Sequence, residues 1–171
     1  MSTDTLFGES RLRVQRRRAR TIRCEAVAEY TARWGWSVEH DGPTIRLLTG
    51  RDFDVLDVPE PAGCESLVRL ERMGVRPGPV LAAQGRALFF VAPDTACRLP
   101  ELLYRTGWDG ADLDLLPRGP GSYVPAPPSP GARWLRPPTP ESATRPPDPK
   151  VLLGTLAYAS HRSVPELIGR H

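Results

Sequence analysis

Apolar positions first fall into register at Val14, Ile22, Val27, Ala28 and Tyr30. They sit among good helix formers with neither Pro nor Gly between Arg11 and Arg33, which predicts one helix covering at least Thr21 to Arg33 and ending near Gly35. Residues 1 to 10 are polar, contain Gly8 and lack a period, so they read as a frayed tail. Trp36 and Val38, then Ile45 and Leu47, alternate with polar residues around Asp41-Gly42-Pro43, the pattern of a hairpin. Phe53 to Val58 reads as a third strand, stopped by Pro59 and Pro61.

Past a loop at Gly63, the stretch Glu65 to Met73 places Leu67, Val68 and Leu70 at helical spacing and closes at Gly74, a residue type suited to a helix end. Pro77-Gly78-Pro79 is a turn, and Val80 to Ala83 and Ala87 to Ala92 form a second hairpin across Gln84-Gly85-Arg86. Leu99 to Thr106 reads as a short helix, Asp112 to Leu116 and Tyr123 to Ala126 as short strands. Between Pro117 and Pro149 lie 12 of the 20 prolines, so residues 136–150 are expected to be an extended linker. Val151 to Ser160 is apolar and free of Pro, a helix that either docks back or engages a partner. This order implies an α+β fold: one compact domain with a mixed β-sheet flanked by short helices. The divisions are a tail (1–10), the domain with its basic N-terminal helix (11–135), the Pro-rich linker (136–150) and the C-terminal segment (151–171).

A length of 171 residues suits a single core, and 40% hydrophobic with 25% charged residues excludes a disordered or collagen-like chain. No run approaches the roughly 20 apolar residues of a membrane span, and no signal-peptide pattern opens the sequence, so a cytoplasmic protein is expected. Cys24, Cys64 and Cys97 are widely spaced, which fits neither a disulfide framework nor a zinc knuckle. Net charge is +3, yet Arg11, Arg13, Arg16, Arg17, Arg18, Arg20 and Arg23 put seven positive charges into 13 residues without an acid, leaving the rest at +3 minus +7, or −4. Such a segment is either a solvated helix face or a phosphate-binding surface, with Arg16, Arg17, Arg18 and Arg20 as the nucleic-acid contacts.

Candidate chemistry is sparse. On the predicted third strand Asp52 and Asp54 share one face, and Phe53, Val55 and Asp57 the other. Two carboxylates two residues apart can hold Mg²⁺ or Mn²⁺, although a solvated strand edge explains such a pair more often. Phosphate-binding glycine loops, a nucleophile elbow and an HExxH pair are all absent. His40, His161 and His171 lie near no nucleophile in sequence, and Trp34, Trp36, Phe89 and Phe90 read as core rather than as base-stacking platforms.

Five segments, taken in order, resemble the bifunctional primase/polymerase (Prim-Pol) N-terminal domain of the archaeo-eukaryotic primase type. They are Ala28 to Val38 (a helix and a Gly-Trp-x-Val strand), Thr49-Gly50 with Phe53 to Val58 (a Thr-Gly turn and a metal-binding strand), Gly63 to Leu67, Gly85 to Phe90, and Asp114 with Gly121 to Ser129. The resemblance covers about residues 24 to 135 and implies an RRM-like sheet. It also implies template-directed nucleotidyl transfer, with Asp57 and Asp114 as catalytic, metal-holding acids and Arg86 as a nucleotide contact. Departures are equally specific. The second acidic position is Pro59, the family histidine aligns with Ala87, and the stretch from Val38 to Thr49 is short. Asp54 or Glu60 could replace the lost acid, except that Asp54 should face away from Asp57.

The resemblance therefore implies a primase/polymerase-family domain with impaired catalysis that binds nucleic acid or nucleotide. Mg²⁺ or Mn²⁺ is its cofactor if activity survives, with none otherwise, and its partner is single-stranded or primed DNA. The alternative is a regulatory or protein-interaction module on the same scaffold, recruiting a protein partner through the Pro-rich tail and the C-terminal segment.

Overall fold

The computed structural model describes residues 4–163. In chain order the elements are α1 (Asp4–Ala28), continued by a π-helical turn (Glu29–Arg33), then β1 (Val38–Asp41), β2 (Thr44–Leu48), β3 (Asp54–Pro59), α2 (Glu60–Arg72), β4 (Val80–Ala83) and β5 (Arg86–Val91). They are followed by α3 (Thr95–Arg105), β6 (Leu116–Arg118), β7 (Tyr123–Ala126), β8 (Arg133–Arg136), α4 (Pro140–Thr144) and α5 (Lys150–Ser163).

The strands build two sheets, a three-stranded one ordered β1-β2-β7 and a five-stranded one ordered β6-β3-β5-β4-β8. Every ladder is antiparallel, whereas the sequence suggested a mixed sheet. The cause lies in α2, which carries the chain from β3 to a strand two places away. The tight Gln84-Gly85 turn then folds β5 back into the gap, antiparallel to both neighbours. Gln84 and Gly85 both have positive φ, 52° and 74°, as a two-residue hairpin turn requires.

β3 is buried on both faces. Val55, Leu81, Leu88 and Phe90 join Trp36, Ile45, Leu47 and Phe53 in a core between the sheets, where the Phe53 and Phe90 rings stack at 4.3 Å. On the other side Leu56, Val58, Phe89 and Val91 pack under α2, α3 and α5. The π-helical turn lets α1 enter the first core. Its buried Tyr30 donates its hydroxyl to Pro127 O at 2.6 Å, and burial pushes that phenol up to about 12.

Several boundaries differ from the sequence reading. The first helix already runs at Asp4, inside the segment expected to be a tail. α2 begins at Glu60, so Pro61 opens a helix rather than only ending a strand, and Gly63 lies within the helix instead of a loop. A Cβ on Gly63 would lie 2.2 Å from the Ala87 Cβ, so glycine allows α2 to press onto β5.

The stretch 136–150 is part of the fold and not an extended linker. Thr139 caps α4 through a reciprocal bond pair with Ser142, the buried Ala143 offers its carbonyl to Trp36 Nε1 at 3.3 Å, and Ala92 N donates to Pro147 O at 3.0 Å. The apolar C-terminal segment docks back. Leu152, Leu153, Leu156, Ala157 and Ala159 are fully buried, so the face proposed to recruit a protein partner is already covered by the chain's own core.

Candidate nucleic-acid interface and the cleft acids

Strand alternation places Val55, Asp57 and Pro59 on the face of β3 turned toward the first sheet. Pro59 lies directly across the ladder from Arg86. Arg86 opens β5 after the Gln84-Gly85 turn, and Arg118 ends β6 opposite Val55. The Thr49-Gly50 turn fixes the neighbouring loop. Thr49 Oγ1 donates to Gly119 O at 2.6 Å, and Gly50, at φ 104°, lies so close to Pro120 that a Cβ would meet its Cα at 2.4 Å. This packing holds Arg118 beside Asp57.

Asp57 is 1% exposed, and both of its oxygens are occupied by guanidinium groups. Arg86 Nε donates to Oδ1 at 2.6 Å, while Arg118 Nη2 and Nε donate to Oδ2 at 2.6 and 2.9 Å. Asp114 lies in the loop before β6 rather than on a strand, and Arg86 grips it bidentately, Nη1 to Oδ2 at 2.9 Å and Nη2 to Oδ1 at 2.8 Å. Arg86 thus bridges the two acids. Its bonds to Asp114, with those to Asp57, raise its own affinity for a proton, and in return its hydrogen bond holds the Asp114 carboxyl below the usual range.

These residues do not fit a divalent metal. A metal on Asp57 would have to displace guanidinium N–H groups from both oxygens, and the second acid of the pair is Pro59, without a ligand atom. Among the described residues no group of three or more His, Cys, Asp or Glu is placed to hold an ion. The substitutes do not help. Asp54 faces the helices, where Oδ2 accepts Ala96 N at the start of α3 at 2.8 Å. Its other oxygen is buried without a partner, and desolvation raises the carboxyl's pKa. Asp52 precedes β3 and pairs with Arg51 at 3.7 Å, so it forms no shared face with Asp54, and Glu60 pairs with Arg133.

Ala87 is the position at which the resemblance places the family histidine. It is fully buried against α2 at Gly63, on the face of β5 opposite Arg86, so a larger side chain there would not reach Asp57. The cleft, of about 240 Å³, is lined by polar residues Thr44, Arg46, Gln84, Arg86, Arg118 and Tyr123 together with Ala83, Leu88 and Pro125. Arg46 stacks on the Tyr123 ring at 4.5 Å and pairs with Asp41. Sequence reasoning missed Arg118, Arg46 and Tyr123. The β3–β6 register brings Arg118 to Asp57 and the β2–β7 register brings Arg46 to Tyr123, and no local spacing signals those pairings.

Arg16, Arg17, Arg18 and Arg20 lie on α1, distant in sequence from the acids. Residues 8–22 are all exposed, and among the described residues none of the seven arginines between Arg11 and Arg23 forms an ion pair. The basic helix is therefore an uncompensated arm. Among the described residues no helix is long and apolar enough to cross a membrane.

No curated protein and no solved structure matches this chain. A family profile described as bifunctional DNA primase/polymerase, N-terminal, does match, and its span, residues 16–149, takes in both acids, Arg86, Arg118 and five of the seven arginines between Arg11 and Arg23. With the ordered motifs and the α+β sheets in agreement over most of its length, the chain belongs to the bifunctional DNA primase/polymerase N-terminal family.

Proposed function

We propose that this chain is a primase/polymerase-family domain that binds nucleic acid or nucleotide and whose nucleotidyl transfer is impaired. The observation that carries the reading is the pairing of both Asp57 oxygens with Arg86 and Arg118. Two-metal transfer needs ions that contact the attacking and leaving oxygens directly. A guanidinium neutralises a carboxylate but has no open coordination position and stays protonated at every working pH.

Binding rests on the arginines. Seven cations on α1 that form no ion pair among the described residues suit a phosphate backbone, and the Arg46–Tyr123 pair gives the cleft a cation beside an aromatic face. Primer extension on a primed single-stranded template with Mn²⁺ and deoxynucleotides tests the reading. The expected result is salt-dependent DNA binding without incorporation. Template-directed incorporation by the wild type that disappears in Asp57→Ala would overturn it.

A further inference from the structure

On a helical wheel of about 100° per residue, Arg13, Arg16, Arg17, Arg20 and Arg23 fall within an arc of roughly 120° on α1, and Arg11 and Arg18 lie almost diametrically opposite. Between these walls runs an uncharged face of Leu12, Gln15, Ala19 and Ile22, with Leu12 54% and Ile22 44% exposed. We propose that α1 seats in the major groove of duplex DNA, its five-arginine stripe against one strand's phosphates and Arg11 and Arg18 against the other's. This rests on the nucleic-acid-binding reading above and specifies the form of nucleic acid and the contact.

Three physical points favour that occupant. A major groove about 12 Å wide accepts a helix about 10–12 Å across, and its two phosphate walls match cations on opposite sides. A single strand offers one line of phosphates, which would leave Arg11 and Arg18 idle. The distance from Arg11 to Arg23 is about 18 Å of helix axis, along which a duplex presents roughly ten phosphates, enough for all seven guanidinium groups.

Other occupants fit poorly. A second copy of α1 would bring like-charged stripes together. A bilayer surface needs one broad apolar face, and the arginines on both sides of α1 interrupt any such face. The arm is also held at one end only. Ala26 and Val27 pack on the core and Tyr30 is pinned to Pro127, while residues 8–22 are exposed, so among the described residues nothing covers the turns that carry Arg11 to Arg20.

The test measures binding of the full chain to a fluorescent duplex and to the same length of single strand over a salt series, with dimethyl sulfate protection reporting guanine N7 in the major groove. Arg13→Gln/Arg17→Gln/Arg20→Gln and Arg11→Gln/Arg18→Gln variants are compared, with circular dichroism confirming that α1 stays helical. The expected results are tighter binding to duplex, N7 protection, and salt slopes flattened by about 2.7 and about 1.8, at about 0.9 per lost phosphate contact. Preference for the single strand, absence of N7 protection, or an unchanged slope in Arg11→Gln/Arg18→Gln would overturn the groove assignment alone. Equal binding by both variants and wild type would likewise overturn the assignment to α1 alone, whereas failure of the wild type to bind either form would overturn the underlying reading as well.

Discussion

Replacing Asp57 separates a metal-binding carboxylate from one that holds the cleft together. The side chain is 1% exposed and takes three guanidinium hydrogen bonds, from Arg86 Nε and from Arg118 Nε and Nη2. Removing one member of a buried pair costs about 3–5 kcal/mol, because the other charge is left buried and uncompensated. Here the arginines keep part of their support. Arg86 still holds Asp114 and the Asp57 carbonyl, Arg118 Nη1 still donates to Tyr123 O at 3.1 Å, and the two side chains are 23% and 32% exposed. That places Asp57→Ala just below this range, at about 2–3 kcal/mol of lost stability. At roughly 2–4 °C per kcal/mol for a domain of this size, Tm should fall by about 4–12 °C.

Urea unfolding followed by tryptophan fluorescence is a suitable assay, since Trp36 is buried against Phe53 and Phe90. A metal-ligating acid behaves in the opposite sense. Without its ion it repels neighbouring acids, so its removal is neutral or stabilising, and millimolar Mn²⁺ raises the Tm of the wild type only. Stability of Asp57→Ala within about 0.5 kcal/mol of wild type, a change of ordinary surface size, or a Mn²⁺-dependent rise in Tm lost in the variant, would refute the reasoning.

Two further outcomes follow from contacts described above. Gly63→Ala should cost about 1–3 kcal/mol through overpacking against Ala87, and Gly63→Ala/Ala87→Gly should recover part of that loss in the same denaturation assay. Asp114, held below the usual carboxylate range by Arg86, contributes stability that is full above its unfolded value near pH 4 and lost as pH falls through its lowered folded value. The acid is 42% exposed, so solvent screening limits the gap between wild type and Asp114→Asn to about 0.5–1 kcal/mol. Unfolding midpoints measured from pH 7 downward should show that gap constant to about pH 5 and closing below pH 4. A gap that widens in acid would contradict the pairing.

Local signals made the hairpins legible. Gly42-Pro43 and Gln84-Gly85 lie between alternating strands, and the structure joins β1 to β2 and β4 to β5 across them. α2 was half legible because Pro61 and Gly63 carry two meanings. Pro61 stops a strand but also suits a first helical turn, and Gly63 is a loop residue by propensity but a packing necessity against Ala87. The Pro-rich stretch misleads for a related reason. Prolines exclude long regular elements, yet they do not prevent a fixed path, and here Ala143 and Pro149 are buried along it. In the cleft, Asp57 and Asp114 could be picked out by resemblance, but their shared guanidinium could not. Arg86 and Arg118 are 32 positions apart, and only the pairing of β3 with both β5 and β6 brings them to one carboxylate.

That pairing also connects the cleft to the basic arm. Two acids at the cleft, Asp57 buried and Asp114 42% exposed, would repel a polyanion unless cations neutralised them, a service that bound metal ions perform in a working polymerase. Arg86 and Arg118 supply the same neutralisation from within the fold, so Asp57, Asp114 and the two guanidinium groups sum to zero and the cleft presents no net negative charge to an approaching phosphate. A fixed internal cation differs from a metal in one decisive respect: a guanidinium has no open coordination position for a hydroxyl or a leaving oxygen, so on the proposed reading it does not supply the metals' part in transfer. On the proposed reading, the two guanidinium groups replace the charge of the metals without their chemistry and keep the electrostatic condition for binding. The seven arginines between Arg11 and Arg23, which form no ion pair among the described residues, on that reading provide the long-range attraction that two balanced acid–guanidinium pairs cannot.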